Sequence, residues 1–117
     1  MKTKQITVGW IIKFRFEFIS QGEKIITHPS LVLKTLYNSF QTACEALYYL
    51  KQPLNTIHRV VLSDKKTQYA VLRHKVTGEF KLNRWYYASN SSKLSKYYLN
   101  EALKYWKDYE PVYVDIL

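Results

Sequence analysis

Residues Thr7-Val-Gly-Trp-Ile-Ile-Lys-Phe-Arg-Phe-Glu-Phe-Ile19 alternate in a way that decides the fold class. Trp10, Ile12, Phe14, Phe16 and Phe18 share one parity, while Lys13, Arg15 and Glu17 share the other. Successive side chains of a strand point to opposite faces, so the pattern predicts a strand over 7–19 with one buried face. Gln21-Gly22 follows as a turn, because glycine accepts positive φ, and Lys24 to Thr27 returns as a second strand. His28-Pro29-Ser30 interrupts the return, and Leu31 to Leu36 reads as a short third strand.

The period then changes. Asn38 or Ser39 is a suitable N-cap; Phe40, Ala43, Cys44, Leu47 and Leu50 recur at helical spacing; Pro53 stops the run. A helix over about 39–52 follows from these signals. Ile57 to Leu62 reads as a strand, Ser63-Asp64-Lys65-Lys66 as a turn, and Tyr69 to Val76 as another strand. Thr77-Gly78 closes a hairpin whose second strand is Phe80 to about Tyr87. The polar Asn90-Ser91-Ser92 caps a second helix over about 92–109, Pro111 ends it, and Val112 to Ile116 forms a last strand. The expected fold is α+β, with six to seven mostly antiparallel strands and two helices packed on one side. Phe14, Phe16, Leu47, Leu50, Leu72 and Ala102 are its expected core, joined by Tyr98, Tyr105 and one of Trp85 or Tyr86.

The two halves match at a constant offset of 56 residues, from Gly22-Glu23 onto Gly78-Glu79 and from Glu45-Ala46-Leu47 onto Glu101-Ala102-Leu103. Ser39, Tyr49 and Lys51 map onto Ser95, Tyr105 and Lys107 in the same register. This suggests a duplicated hairpin-plus-helix unit spanning 7–62 and 63–117; convergent helix composition could give several of the identities. Either way, 117 residues fit a single domain able to bury one core without staples.

At Ser39-Phe-Gln-Thr-Ala-Cys-Glu-Ala46 the chain resembles the helix start of AP2-type DNA-binding domains, which place a three-stranded sheet before a helix and dock the sheet on DNA. Phe40, Thr42, Ala43, Glu45 and Ala46 carry the likeness. The arginine and tryptophan pattern of that family's strands is missing from residues 7–36, so no site residue is carried over.

Charge narrows the partners. Eighteen Lys plus Arg against nine Asp plus Glu leave a net +9, which favours polyanions. From Lys65 to Lys96 eight basic residues face one acid, Glu79, a surplus of seven. The bland alternative is a solubilising surface. Cys44 is the only cysteine, so no internal disulfide forms, and a reducing cytoplasm is the simplest expected location. Lys13 and Arg15 break the apolar run near the N-terminus before it resembles a signal peptide, and no segment is apolar for long enough to span a bilayer. A soluble chain with no membrane partner is expected.

Catalytic signatures are sparse. His28, His58 and His74 form no metal-ligand pair with one another or with Cys44, and three glycines cannot build a phosphate-binding loop. No strained nucleophile turn is visible, and the acids are scattered. The expectation is a non-enzyme without cofactor, metal or catalytic residues.

Lys81 to Tyr98, KLNRWYYASNSSKLSKYY, holds four cations, five aromatics and no acid, the composition expected where bases stack and cations hold phosphates. Along the second helix, Lys93, Lys96, Asn100, Lys104 and Lys107 recur every three or four residues, giving a basic stripe. The expected contact set is Lys65, Lys66, Arg73, Lys75, Lys81, Arg84 and Trp85 on the second hairpin, with Lys93, Lys96, Lys104 and Lys107 on the helix. The expected function is non-catalytic binding of DNA or RNA. The alternative is a phage-type or mobile-element-type inhibitor that docks on a host nuclease or RNA-guided defence complex and blocks or engages its nucleic acid. Such an inhibitor would be retained by one host nucleic-acid-handling protein, whereas a free binder retains polynucleotide alone.

Overall fold

The computed structural model describes residues 5–88 and 93–117. The chain runs β1 (Thr7–Lys13), β2 (Glu17–Ser20), β3 (Glu23–Ile26), α1 (Phe40–Leu50), β4 (Thr56–Leu62), β5 (Tyr69–His74), β6 (Phe80–Tyr87), α2 (Lys93–Tyr105) and β7 (Tyr109–Ile116). Five strands form an antiparallel sheet in the order β1-β4-β7-β5-β6, and β2 pairs only with β3. This is the expected α+β, mostly antiparallel architecture with two helices.

The sheet curls until its edges are bridged. Backbone bonds join Trp10 and Tyr37 in both directions, at 2.9 and 2.7 Å, and likewise Phe14 and Ser30. On its other side the same extended segment, 30–37, receives Trp85 N–H at the Lys34 carbonyl and donates Leu36 N–H to the Leu82 carbonyl. The stretch Leu31 to Leu36, expected as a short strand, therefore acts as the closing stave between β1 and β6, although its pairing is too irregular to form a regular ladder. Closure removes both sheet edges. Gly9 sits where β1 shifts register, and a Cβ there would come within 3.0 Å of the Tyr37 carbonyl oxygen.

Val8, Ile11, Leu36, Val60, Val71, Trp85 and Val114 fill the interior. The opposite parity faces outward under the helices. α1 packs on β1 and β4, with Phe40 edge-on to Trp10 at 5.1 Å, and α2 packs on β6 and β7. Ile12, Ala43, Val61, Ala70, Leu72 and Tyr86 are buried in that outer layer. Both faces of β1 are thus covered, and adjacent Ile11 and Ile12 are each buried.

The strand expected over 7–19 breaks after Lys13 for the same reason. Up to Phe14, which is buried, the chain is a barrel stave; beyond it β2 and β3 continue the hairpin past the barrel end, where no other described element covers them. Phe16 and Phe18 are 45% and 48% exposed, which overturns their expected burial. The Thr27 N–H bond to the Phe16 carbonyl makes β1–β2 and β3–Tyr37 two legs of one long hairpin. Its tip has Gln21 and Gly22 at φ of 52° and 78°, both left-handed, the turn that matches strand twist.

α1 is capped as expected by Ser39, whose hydroxyl accepts the Thr42 N–H, and stops at Lys51 in the left-handed region. α2 ends at Tyr105, short of the expected boundary, and its expected cap at Asn90 to Ser92 lies outside the described residues. Pro111 lies inside β7 instead of ending the helix. It sits opposite Leu72, beyond the Leu62–Val114 pair where β4 stops, so its missing N–H falls on a side that has no neighbouring strand. Leu47, Leu50 and Ala102 are half-buried, while Tyr98 and Tyr105 are exposed.

Each half has the same connectivity. In the first, β1 lies between the 30–37 segment and β4, with α1 linking those two; in the second, β5 lies between β6 and β7, linked by α2. β4 and β7 meet antiparallel with Val60 opposite Ile116, residues separated by the same 56 positions as the sequence match.

Candidate nucleic-acid interface

The register that places Ala70 and Tyr86 in the outer layer also turns Lys81 and Arg84 of β6 toward α2. The Arg84 guanidinium lies 5.0 Å from the Tyr98 ring centre and 5.2 Å from that of Tyr86. Its Nε is buried and has no hydrogen-bond partner, and no carboxylate pairs with it among the described residues. Lys81 Nζ lies 3.8 Å over the Trp106 ring and 5.8 Å from that of Tyr109. Rings neutralise a cation only partly, so both groups keep charge to offer an anion.

Above this layer, Lys96 and Lys104 are exposed on α2, and Lys107 is exposed in the turn that follows. Lys75, in the β5–β6 turn, borders the same end of the helix, where its N–H donates to the Asp108 carbonyl at 2.8 Å. Among the described residues no carboxylate pairs with Lys75, Lys96 or Lys107; Lys104 bridges Glu101 at 3.2 Å. The expected stripe is therefore corrected twice: Glu101 interrupts it, and Lys107 lies past the helix end. The Lys93 side chain lies outside the described residues.

Other expected contacts fall elsewhere. Arg73 points to the interior parity and is bridged to Glu110 at 3.1 Å, so its charge is already matched. Lys65 and Lys66 are exposed in the β4–β5 loop, and Lys65 shares an open hollow with Asp64 and Asp115 on the β4–β7 side. Trp85 is 2% exposed; its ring belongs to the core and its Nε1 donates to the Leu33 carbonyl at 2.9 Å. No base can stack on it, so the expected aromatic platform is not Trp85.

Sequence reasoning missed Tyr97 and Tyr105, which are 55% and 76% exposed on α2 beside the lysines. It also missed Lys34, whose Nζ lies 3.6 Å over Trp85 and 4.4 Å over Tyr87. Burial first, then the nearby Arg84 charge, hold the Lys34 ammonium below the usual lysine range. Two uncompensated cations thus lie close enough to repel one another. Burial raises the Tyr86 phenol, with Arg84 acting in the opposite direction.

No group of three or more His, Cys, Asp or Glu side chains that could hold a metal converges among the described residues. His58 bridges Thr56 and Leu117, and His74 Nδ1 accepts the Val76 and Thr77 N–H groups at 3.1 Å each, so both rings have structural partners. No described helix is long and apolar enough to cross a membrane. The chain matches no family model, no curated protein and no solved structure.

Proposed function

We propose that this chain is a non-catalytic nucleic-acid-binding protein whose phosphate-contacting face is α2 together with the outer side of β6. The observation that carries the reading is Arg84: a guanidinium held against two rings, with an unfilled donor and no carboxylate, in the same layer between β6 and α2 as Lys81, with Lys96 exposed on α2 and Lys75 and Lys107 past its far end, none of them ion-paired among the described residues. Mutual repulsion among these groups costs stability, and a phosphate backbone would offset that cost. Exposed Tyr97 and Tyr105 add surfaces on which unpaired bases can stack. No base-reading constellation accompanies them, so binding is electrostatic first.

The test is salt dependence. Log affinity for duplex DNA or RNA should fall against log salt with a slope of about −0.9 per contacted phosphate. Lys75→Ala, Lys96→Ala, Lys104→Ala and Lys107→Ala together should flatten it by about one per contacting lysine, whereas Lys65→Ala with Lys66→Ala should leave it unchanged. An unchanged slope in the fourfold variant refutes the assignment of this face. If that variant binds polynucleotide normally but loses a single host protein, the inhibitor reading replaces it. Labelled DNA or RNA incubated with Mg²⁺ or Mn²⁺ should remain intact; cleavage abolished by changing one acid would overturn the non-catalytic assignment.

A further inference from the structure

One arrangement of side chains occurs twice between α2 and β6. Tyr97 meets Tyr98 edge-on at 5.8 Å, and the Arg84 guanidinium lies 5.0 Å from the Tyr98 ring centre. Tyr105 likewise meets Trp106 edge-on at 4.7 Å, and the Lys81 ammonium lies 3.8 Å over the Trp106 ring. Each unit therefore consists of an outer ring, a second ring that props it, and a cation that no carboxylate pairs among the described residues. A single neighbouring ring can cover at most one face of another, and Tyr97 and Tyr105, 55% and 76% exposed, keep a face open to solvent.

The spacing repeats as well. Tyr97 and Tyr105 are eight helical residues apart, about 12 Å along α2 and about 80° round it. Lys81 and Arg84, three strand residues apart, are separated by about 10 Å along β6. Stacked nucleotides of one strand rise about 3.4 Å each, so the two units stand roughly three or four nucleotides apart. Glu101 lies between the two rings on the helix, but Lys104 bridges it at 3.2 Å and offsets its charge.

We propose, resting on the nucleic-acid reading above, that this face takes a single strand in preference to a duplex, with Tyr97 and Tyr105 as two base-stacking stations a few nucleotides apart. In a duplex every base is paired and stacked inside the helix, so rings on the convex surface of α2 reach only its backbone. Unpaired bases offer their faces, and stacking on exposed aromatics is tolerant of sequence. The lysines therefore act on both forms of polynucleotide, whereas the two tyrosines act on one. Single-stranded DNA and RNA present the same ring faces, so both carry the required chemistry.

Fluorescence anisotropy of the full chain tests this with labelled oligothymidine and oligouridine of about 12 nucleotides and a duplex of the same length, from about 0.05 to 0.3 M salt. The better bound of the two single strands, which identifies DNA or RNA as the source, should exceed the duplex at least about tenfold at the highest salt. The ratio should rise with salt, because phosphate contacts are lost with a slope of about −0.7 each on single strands and −0.9 on duplex, while stacking is not screened. Tyr97→Ala and Tyr105→Ala should each lower single-strand affinity about 5- to 150-fold and leave duplex affinity and the melting temperature unchanged; Tyr97→Phe and Tyr105→Phe should retain it. A duplex bound as tightly as both single strands, with its salt slope still set by the lysines, overturns this inference and leaves the nucleic-acid reading standing. A preference that survives the double alanine variant also overturns it, and a chain that binds no polynucleotide overturns both.

Discussion

Gly9 shows how one missing methyl group lets the barrel close. β1 shifts register there, and the Tyr37 carbonyl and Leu36 side chain of the closing segment come close enough that an added Cβ would meet them at 3.0 and 3.3 Å. The crowded atom is backbone, which cannot rotate aside. Gly9→Ala is therefore expected to cost about 1–3 kcal/mol, read as a lower midpoint in urea unfolding. Trp85 makes the complementary point about large side chains. Its ring lies edge-on to Tyr69 at 5.3 Å and Tyr87 at 4.9 Å inside the barrel. Trp85→Ala should cost about 3–5 kcal/mol, and under conditions where the variant remains folded it should bind nucleic acid as the parent chain does. Selective loss of single-strand affinity in a folded Trp85 variant would contradict its burial.

Period alone made most elements legible. Ser39 with the spacing of Phe40, Ala43, Leu47 and Leu50 located α1, and Gly22 and Gly78 located two hairpin turns, since local capping and φ preferences act over a few residues. What was hidden depends on distant pairing. The 30–37 segment has no alternation of its own and becomes a stave only because Trp10, Phe14, Leu82 and Trp85 hydrogen-bond to it. Phe16 and Phe18 continue the parity of Phe14, and nothing local reveals that the barrel ends between them. The site was legible in the same measure. Lys96 was readable as a cation of α2, and so, at a spacing of three, was Glu101 beside Lys104; what strand alternation concealed is the irregular β5–β6 register that turns both Lys81 and Arg84 toward α2, and the early end of α2 before Lys107. α2 also separates two kinds of tyrosine. Tyr98 holds Arg84, whereas Tyr105 is 76% exposed. Tyr105→Ala should weaken single-strand binding by about 1–3 kcal/mol at every salt concentration while leaving the melting temperature unchanged, as fluorescence titration and thermal melting would show.

The barrel brings together two halves of identical connectivity, and neither can bury its apolar face alone. Residues 5–62 contribute Val8, Ile11, Leu36 and Val60 to the interior, and residues 63–117 contribute Val71, Trp85 and Val114. The two sets meet only when two seams form: β4 against β7, in the register Val60–Ile116, and the 34–36 stretch against β6. Each half leaves unpaired backbone along both seams, a condition that strands avoid by closure. The single covalent link between them is the β4–β5 loop, where Asp64, Lys65 and Lys66 are exposed. Cleaving there sacrifices no ladder bond and raises chiefly the entropic cost of bringing the halves together. Fragments 1–64 and 65–117, expressed separately, should each be unfolded by circular dichroism. Mixed at equal concentration they should recover the β signal and a cooperative melt whose midpoint rises with concentration, as association requires. Asp115→Pro would remove a backbone N–H from the β4–β7 seam, where Asp115 sits opposite Val61, and should weaken recovery more than a change on the exposed face of α1 such as Tyr48→Ala. A half that folds cooperatively alone would show that the seams are ordinary interfaces between autonomous units and that the core is not shared.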